Sequence, residues 1–126
     1  MGGYGTLLLR VTLGAIFIMH AYLAVAIISP ASIIAFQQTK GIPFPQLVTW
    51  YTILAHGIGG LCLVLGLLAR WAALANVPVA AGSLYFFHLR EGFFMGPQGG
   101  YEYPLLVLAA TIALALTGPG NFTLKK

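Results

Sequence analysis

Three imidazoles and one carboxylate are the groups in this chain that could do chemistry. His20 and His56 lie inside long apolar runs, His88 closes a third run, and Glu102 opens a fourth. Ionisable side chains within apolar segments are costly to bury and are functional candidates by default. Imidazoles and a carboxylate suit Zn, Fe or Cu, so His20, His56, His88 and Glu102 form the candidate metal set. The same histidines could hydrogen-bond a quinone carbonyl or relay a proton. Tyr85, about one helical turn before His88, joins them as a candidate ligand contact. No pattern marks a catalytic residue.

Each candidate has a plainer account. His88 and Glu102 sit at the ends of their segments, where His88 could reach headgroups and Glu102 could pair with Arg90. His20 and His56 are deeper, about 12 Å and about 14 Å from the same end of their helices at 1.5 Å per residue. A lipid-facing imidazole at that depth is unfavourable, so those two are expected to pair internally or to serve function. Tyr22, Tyr51, Tyr85, Tyr101 and Tyr103, with Trp50, could form either an interfacial belt or the wall of a pocket for a flat ring.

The elements that hold these residues follow from composition. The chain has 126 residues, 60% hydrophobic and 6% charged, where soluble domains carry about a quarter charged residues. A span needs about 20 apolar residues, so the length accommodates about four spans and little more. The expected fold is a single all-α domain, a polytopic four-helix transmembrane bundle. Its spans are expected at about 6–28, 47–69, 72–89 and 102–117, with a loop over 30–46 that could open with a short interfacial helix, and a tail over 118–126.

Proline and glycine set the boundaries. Ser29-Pro30 closes the first span, Arg70-Trp71 reads as the turn between the second and third, and Pro78 predicts a kink. Pro104 suits the first turn of the fourth span. That span reaches only about 22 Å, which is short for a bilayer. Gly57, Gly59, Gly60 and Gly66 mark the second helix as the packing helix, because helices in lipid approach through small residues. Arg10, one turn inside the first span, is expected to snorkel to headgroups.

The formal net charge is +4, but the basic residues are scattered singly beside apolar runs, which excludes a nucleic-acid footprint. Arg10, Arg70, Lys125 and Lys126 fall on the side of the termini, opposite Lys40, Arg90, Glu91 and Glu102. The basic excess places both termini in the cytoplasm of an inner-membrane, multi-pass protein. Ala24-Val25-Ala26 looks like a signal cleavage site, but no Lys or Arg precedes the apolar run and Arg10 interrupts it, so a retained helix is expected. Cys62 reads as a small apolar residue. There is no nucleotide-binding loop, no Cys-x-x-Cys and no covalent haem motif.

In order, these signals resemble the DoxX family of small four-helix membrane proteins. Leu8-Leu9-Arg10 leads to Gly14 and His20, and Gly41-Ile42-Pro43-Phe44-Pro45 follows in the loop. Gly59-Gly60-Leu61 runs to Gly66-Leu67-Leu68-Ala69-Arg70, then come His88, Gly100-Tyr101-Glu102-Tyr103 and Gly118-Pro119-Gly120. The chain departs from the family at two helices: Ala21 follows His20 where a glycine and then a lysine are usual, and His56 stands where a glutamate is usual. The tail ends in lysines where many relatives have an aspartate.

The resemblance implies a membrane subunit, since some members look like membrane subunits of thiosulfate:quinone oxidoreductases and others associate with redox or stress-defence enzymes. The expected role is an accessory subunit of a quinone-linked redox complex, with a small hydrophobic-ligand site in its outer half. The alternative is a purely structural assembly subunit; solute transport ranks behind both. Expected partners are the lipid bilayer and other membrane subunits or further copies of the chain. The cofactor is left open, with quinone a candidate class.

Overall fold

A computed structural model describes residues 2–125; Lys126, the last residue of the expected tail, lies outside the described residues. Helix α1, Gly2–Tyr22, continues as a π-helical turn, Leu23–Ile28. Helix α2 is Pro30–Thr39 and α3 is Pro45–Leu65. Helix α4, Ala69–Ser83, runs on through a π-helical turn, Leu84–His88, and a short 3-10 turn, Leu89–Glu91; α5 is Glu102–Thr117. Three stretches are long and apolar enough to cross a membrane: Gly3–Ile28, Pro45–Leu65 and Ala69–Glu91. The fourth, α5, has 16 residues and extends about 24 Å against a hydrocarbon layer of about 30 Å.

The expected loop over 30–46 is half helix. Ser29 takes φ 92° and its hydroxyl accepts the Ser32 N–H at 3.2 Å, and Pro30 occupies the first helical position without losing a bond. The turn between the second and third spans is also displaced. It falls at 66–68, so Arg70 and Trp71 belong to α4. Gly66 at φ 75° ends α3 in the left-handed conformation that glycine tolerates best, and Leu68 at φ 47° completes the reversal.

Helix α1 crosses α3 at a reciprocal glycine contact. A Cβ added at Gly60 would lie 2.8 Å from the Gly14 carbonyl oxygen, and one added at Gly14 would lie 2.7 Å from the Gly60 carbonyl oxygen. Gly59 faces α4, where an added Cβ would meet the Asn76 amide nitrogen at 2.7 Å. The other two glycines of that group have different roles. Gly57 has only ordinary contact with Ala21, at 3.5 Å from an added Cβ, and Gly66 serves the turn.

The core follows from these contacts: Leu13 and Phe17 of α1, Leu63 of α3, Ala69, Ala72 and Ala73 of α4, and Leu114 and Ala115 of α5. Its alanines allow close backbones, while the large apolar residues, such as Leu8, Ile58, Leu106 and Leu116, point outward to where lipid would lie.

The expectation for Arg10 is overturned. Its side chain is 2% exposed and turns inward, where Nη1 donates to the Pro119 carbonyl at 2.8 Å. The reason is the tail, which folds back over this end of the bundle. Tyr4 packs on Phe122 with ring centroids 4.9 Å apart, and the Leu124 and Lys125 N–H groups both donate to the Gly66 carbonyl at 3.1 Å. Both termini and the 66–68 turn therefore share one end of the bundle.

Two outcomes follow. Gly60→Ala should cost about 1–3 kcal/mol, because two backbones must separate. Gly5→Ala, with open space around it, should be neutral or gain up to about 1 kcal/mol; thermal unfolding in mild detergent compares the two. Arg10→Met should cost about 1–3 kcal/mol by leaving the Pro119 carbonyl without its donor. Hydrogen exchange should then rise in 121–125 before the rest of the chain.

Candidate functional site

The end of the bundle opposite the termini holds a lateral cavity of about 640 Å³ between α2, α3 and α4. Its walls are mainly apolar: Ile33 and Phe36 of α2, Ile42 and Pro43 of the following loop, Leu47 and Val48 of α3, and Val79, Phe86 and Phe87 beyond. The volume falls within the range of small-molecule sites, about 300–1,000 Å³. Polar groups are few, namely Gln37, Tyr51, Thr52, His56 and Ser83.

Local backbone features hold this space open. Pro78 lines it and lacks the N–H that would bond the preceding turn of α4. The helix then widens into the π-helical turn Leu84–His88, a feature common at functional sites. Gly82 has nothing within 4 Å of where a Cβ would stand, so the cavity runs up to its backbone. On the facing side α2 is fixed to α3 by a buried bond in which the Thr49 hydroxyl donates to Gln37 Oε1 at 2.9 Å.

His56 is the most constrained polar group on the wall. Its Nδ1 lies 2.7 Å from Asn76 Oδ1, and its ring stacks on Phe17, with centroids 4.7 Å apart and planes 8° from parallel. Asn76 is 0% exposed and spends its amide hydrogens on the Ala55 carbonyl at 2.8 Å and the Ala72 carbonyl at 3.0 Å. Turning this amide over would set its oxygen against two carbonyl oxygens. Asn76 therefore presents an acceptor to His56, and His56 carries its hydrogen on Nδ1. Its Nε2 is then a bare acceptor with no hydrogen-bond partner among the described residues.

The other sequence candidates are not drawn into one centre. His20 approaches His56, with ring centroids 5.9 Å apart and tilted by 41°, but it is exposed on the outside of α1. His88 instead pairs locally, its Nδ1 2.6 Å from Glu91 Oε1. Glu102 does not pair with Arg90; its Oε2 accepts the Met95 N–H at 3.0 Å. Glu91 also accepts the Gly100 N–H at 3.1 Å, so both carboxylates brace the 92–101 connection. Tyr85 is 67% exposed and packs edge-on to Phe86, outside the cavity, because the π-helical winding turns its neighbours inward.

The candidate metal set is corrected accordingly. Among the described residues, no three of His, Cys, Asp or Glu come close enough to hold a metal ion. Matched depth along separate helices did not imply a shared centre, because His88 is engaged by Glu91 of its own turn and Glu102 by the Met95 N–H. Three residues escaped the sequence reading. Asn76 carried a signal, as an amide within an apolar span; Phe17 and Gly82 carried none.

The family model described as DoxX matches residues 5–89, well over half of the chain, from α1 to the turn that holds His88. It takes in the whole cavity lining and His56, and leaves Glu91, Glu102 and α5 beyond its end. No curated protein and no solved structure matches the chain.

The His56–Asn76 pairing makes a spectroscopic prediction. In histidine-labelled protein reconstituted in lipid, nitrogen-15 spectra should show His56 protonated at Nδ1 and bare at Nε2. Asn76→Leu should abolish that fixed tautomer and cost about 1–3 kcal/mol, because the Nδ1–H loses its acceptor in apolar surroundings.

Proposed function

Since the chain belongs to the DoxX family, we propose that it is a membrane subunit of a quinone-linked redox complex. In this reading it holds a hydrophobic small molecule of the quinone class in the cavity between α2, α3 and α4. The observation that carries this is the mainly apolar cavity of about 640 Å³ with His56 among its lining residues, its Nε2 without a hydrogen-bond partner among the described residues. Such a site combines burial for a ring and its tail with one directional polar contact, the usual composition of small-molecule sites.

The residues suit that class. Phe36 of α2 and Phe87 of the π-helical turn both line the space and stack on each other, centroids 5.4 Å apart and planes 16° from parallel, giving the lining aromatic surface. His56 orients the polar edge from α3, and the buried Gln37 also lines the space from α2. The lining supplies apolar surface and a few polar contacts, and the chain is read as an accessory subunit that binds and positions a ligand. Electron transfer would belong to a partner.

The orientation in the membrane is part of this reading. Arg10, Arg70 and Lys125 share the end of the termini, where Gly118 also lies against the Arg70 guanidinium. The opposite end mixes Lys40 and Arg90 with both carboxylates. The positive-inside rule then sets the termini in the cytoplasm of an inner membrane and the cavity in the outer half.

Purification in mild detergent, followed by solvent extraction and lipid analysis, should recover an isoprenoid quinone with the wild-type chain. Gly82→Leu should lose that ligand while its unfolding temperature stays near wild type, because the added side chain enters the open cavity rather than a packed helix contact. A ligand-free wild-type preparation that retains a firmly bound membrane partner would instead support a purely structural subunit.

A further inference from the structure

The cavity also has a hydrogen-bond polarity, and that polarity says which chemical form of a ligand it favours. The constraint starts at Asn76, whose two amide hydrogens are committed to carbonyls of α3 and α4 and whose oxygen faces His56 Nδ1 at 2.7 Å. With the hydrogen held on Nδ1, a neutral imidazole offers only a lone pair at Nε2. Phe17 covers one face of the ring and holds its plane, so the ring cannot turn over, which would set Cδ2 against Asn76 and Cε1 where Nε2 stands, without breaking the bond to Asn76.

A ligand carbonyl placed at Nε2 would set lone pair against lone pair, and both groups would be left unsatisfied in an apolar wall. A ligand hydroxyl would donate to Nε2 and satisfy both. We propose that this cavity binds its occupant through a hydroxyl donated to His56 Nε2. The favoured ligand is a hydrophobic phenol or alcohol, and within a quinone–quinol pair the reduced, O–H-bearing member binds more tightly. This inference rests on the ligand-site reading above and adds the donor–acceptor sense of the contact. Among the other lining hydroxyls, the Tyr51 O–H is already donated to the Ala75 carbonyl at 2.6 Å, and those of Thr52 and Ser83 are the remaining donors, whose contribution the His56→Leu comparison separates from that of Nε2.

The test uses the full chain in lipid nanodiscs without oxygen. Binding is measured by calorimetry for three probes of matched shape: a short-chain para-quinol, its quinone, and the dimethyl ether of the quinol. The quinol should bind about tenfold more tightly than either of the others, the difference between a satisfied and an unsatisfied buried acceptor. In His56→Leu, the quinol should fall to the affinity of its ether while the ether is little changed. The comparison among probes on the unmutated chain stands even if that variant folds poorly. Equal affinities for the three probes, or tighter binding of the quinone, would overturn the polarity inference and leave the cavity as a ligand site. Failure of all three probes to bind would overturn the ligand-site reading and this inference with it.

Discussion

The side-chain amide of Asn76 is the interaction on which the arrangement turns. It is fully buried in α4, donates to the Ala55 carbonyl of α3 and the Ala72 carbonyl of its own helix, and accepts from His56. In surroundings without water each of those groups must find a protein partner. One amide satisfies three of them at once and sets the register of α3 against α4. Gly59 makes room for it, since any side chain there would collide with the amide nitrogen. Polar satisfaction and close packing are therefore the same requirement at this point of the bundle.

From that fixed point the two sides of α3 behave differently. Toward α1, Gly14 and Gly60 bring the backbones together until no Cβ fits between them, and Phe17 is drawn over the His56 ring. Toward α2 and the far half of α4, Pro78, the π-helical turn and Gly82 keep the elements apart. The cavity is what remains where the helices cannot close. Its one constrained polar atom comes from the side that is tightly packed, so a flexible-looking apolar space acquires a directional contact from a rigid neighbour.

The opposite end is organised around Arg10. A buried guanidinium that, among the described residues, donates to the Pro119 carbonyl and leaves Nε unpartnered is a costly arrangement in a small bundle. It is held there by the tail, whose backbone supplies the Pro119 carbonyl and pairs with the Gly66–Leu68 turn. The ends of the bundle thus have separate tasks. One is closed by backbone pairing around an arginine, and the other is open to the lipid side and braced by Glu91 and Glu102 across the 92–101 connection.

The all-helical membrane-spanning fold and the family were determined by the sequence alone. Long apolar runs with so few charges admit only helices in lipid, and the ordered glycine, proline and arginine motifs need no coordinates to recognise. The sequence also picked out His56 as a costly intramembrane group. It did not decide what His56 meets, because depth along a helix is readable from residue count whereas the facing of each residue is set by how helices rotate and cross. That rotation joined His56 to Asn76 and Phe17 and turned Arg10 inward under the tail, whereas local winding paired His88 with Glu91 and left Tyr85 outside the cavity. Crossing geometry depends on contacts between residues far apart in the chain, such as Gly14 with Gly60 and Asn76 with Ala55, and only the tertiary structure brings those pairs together.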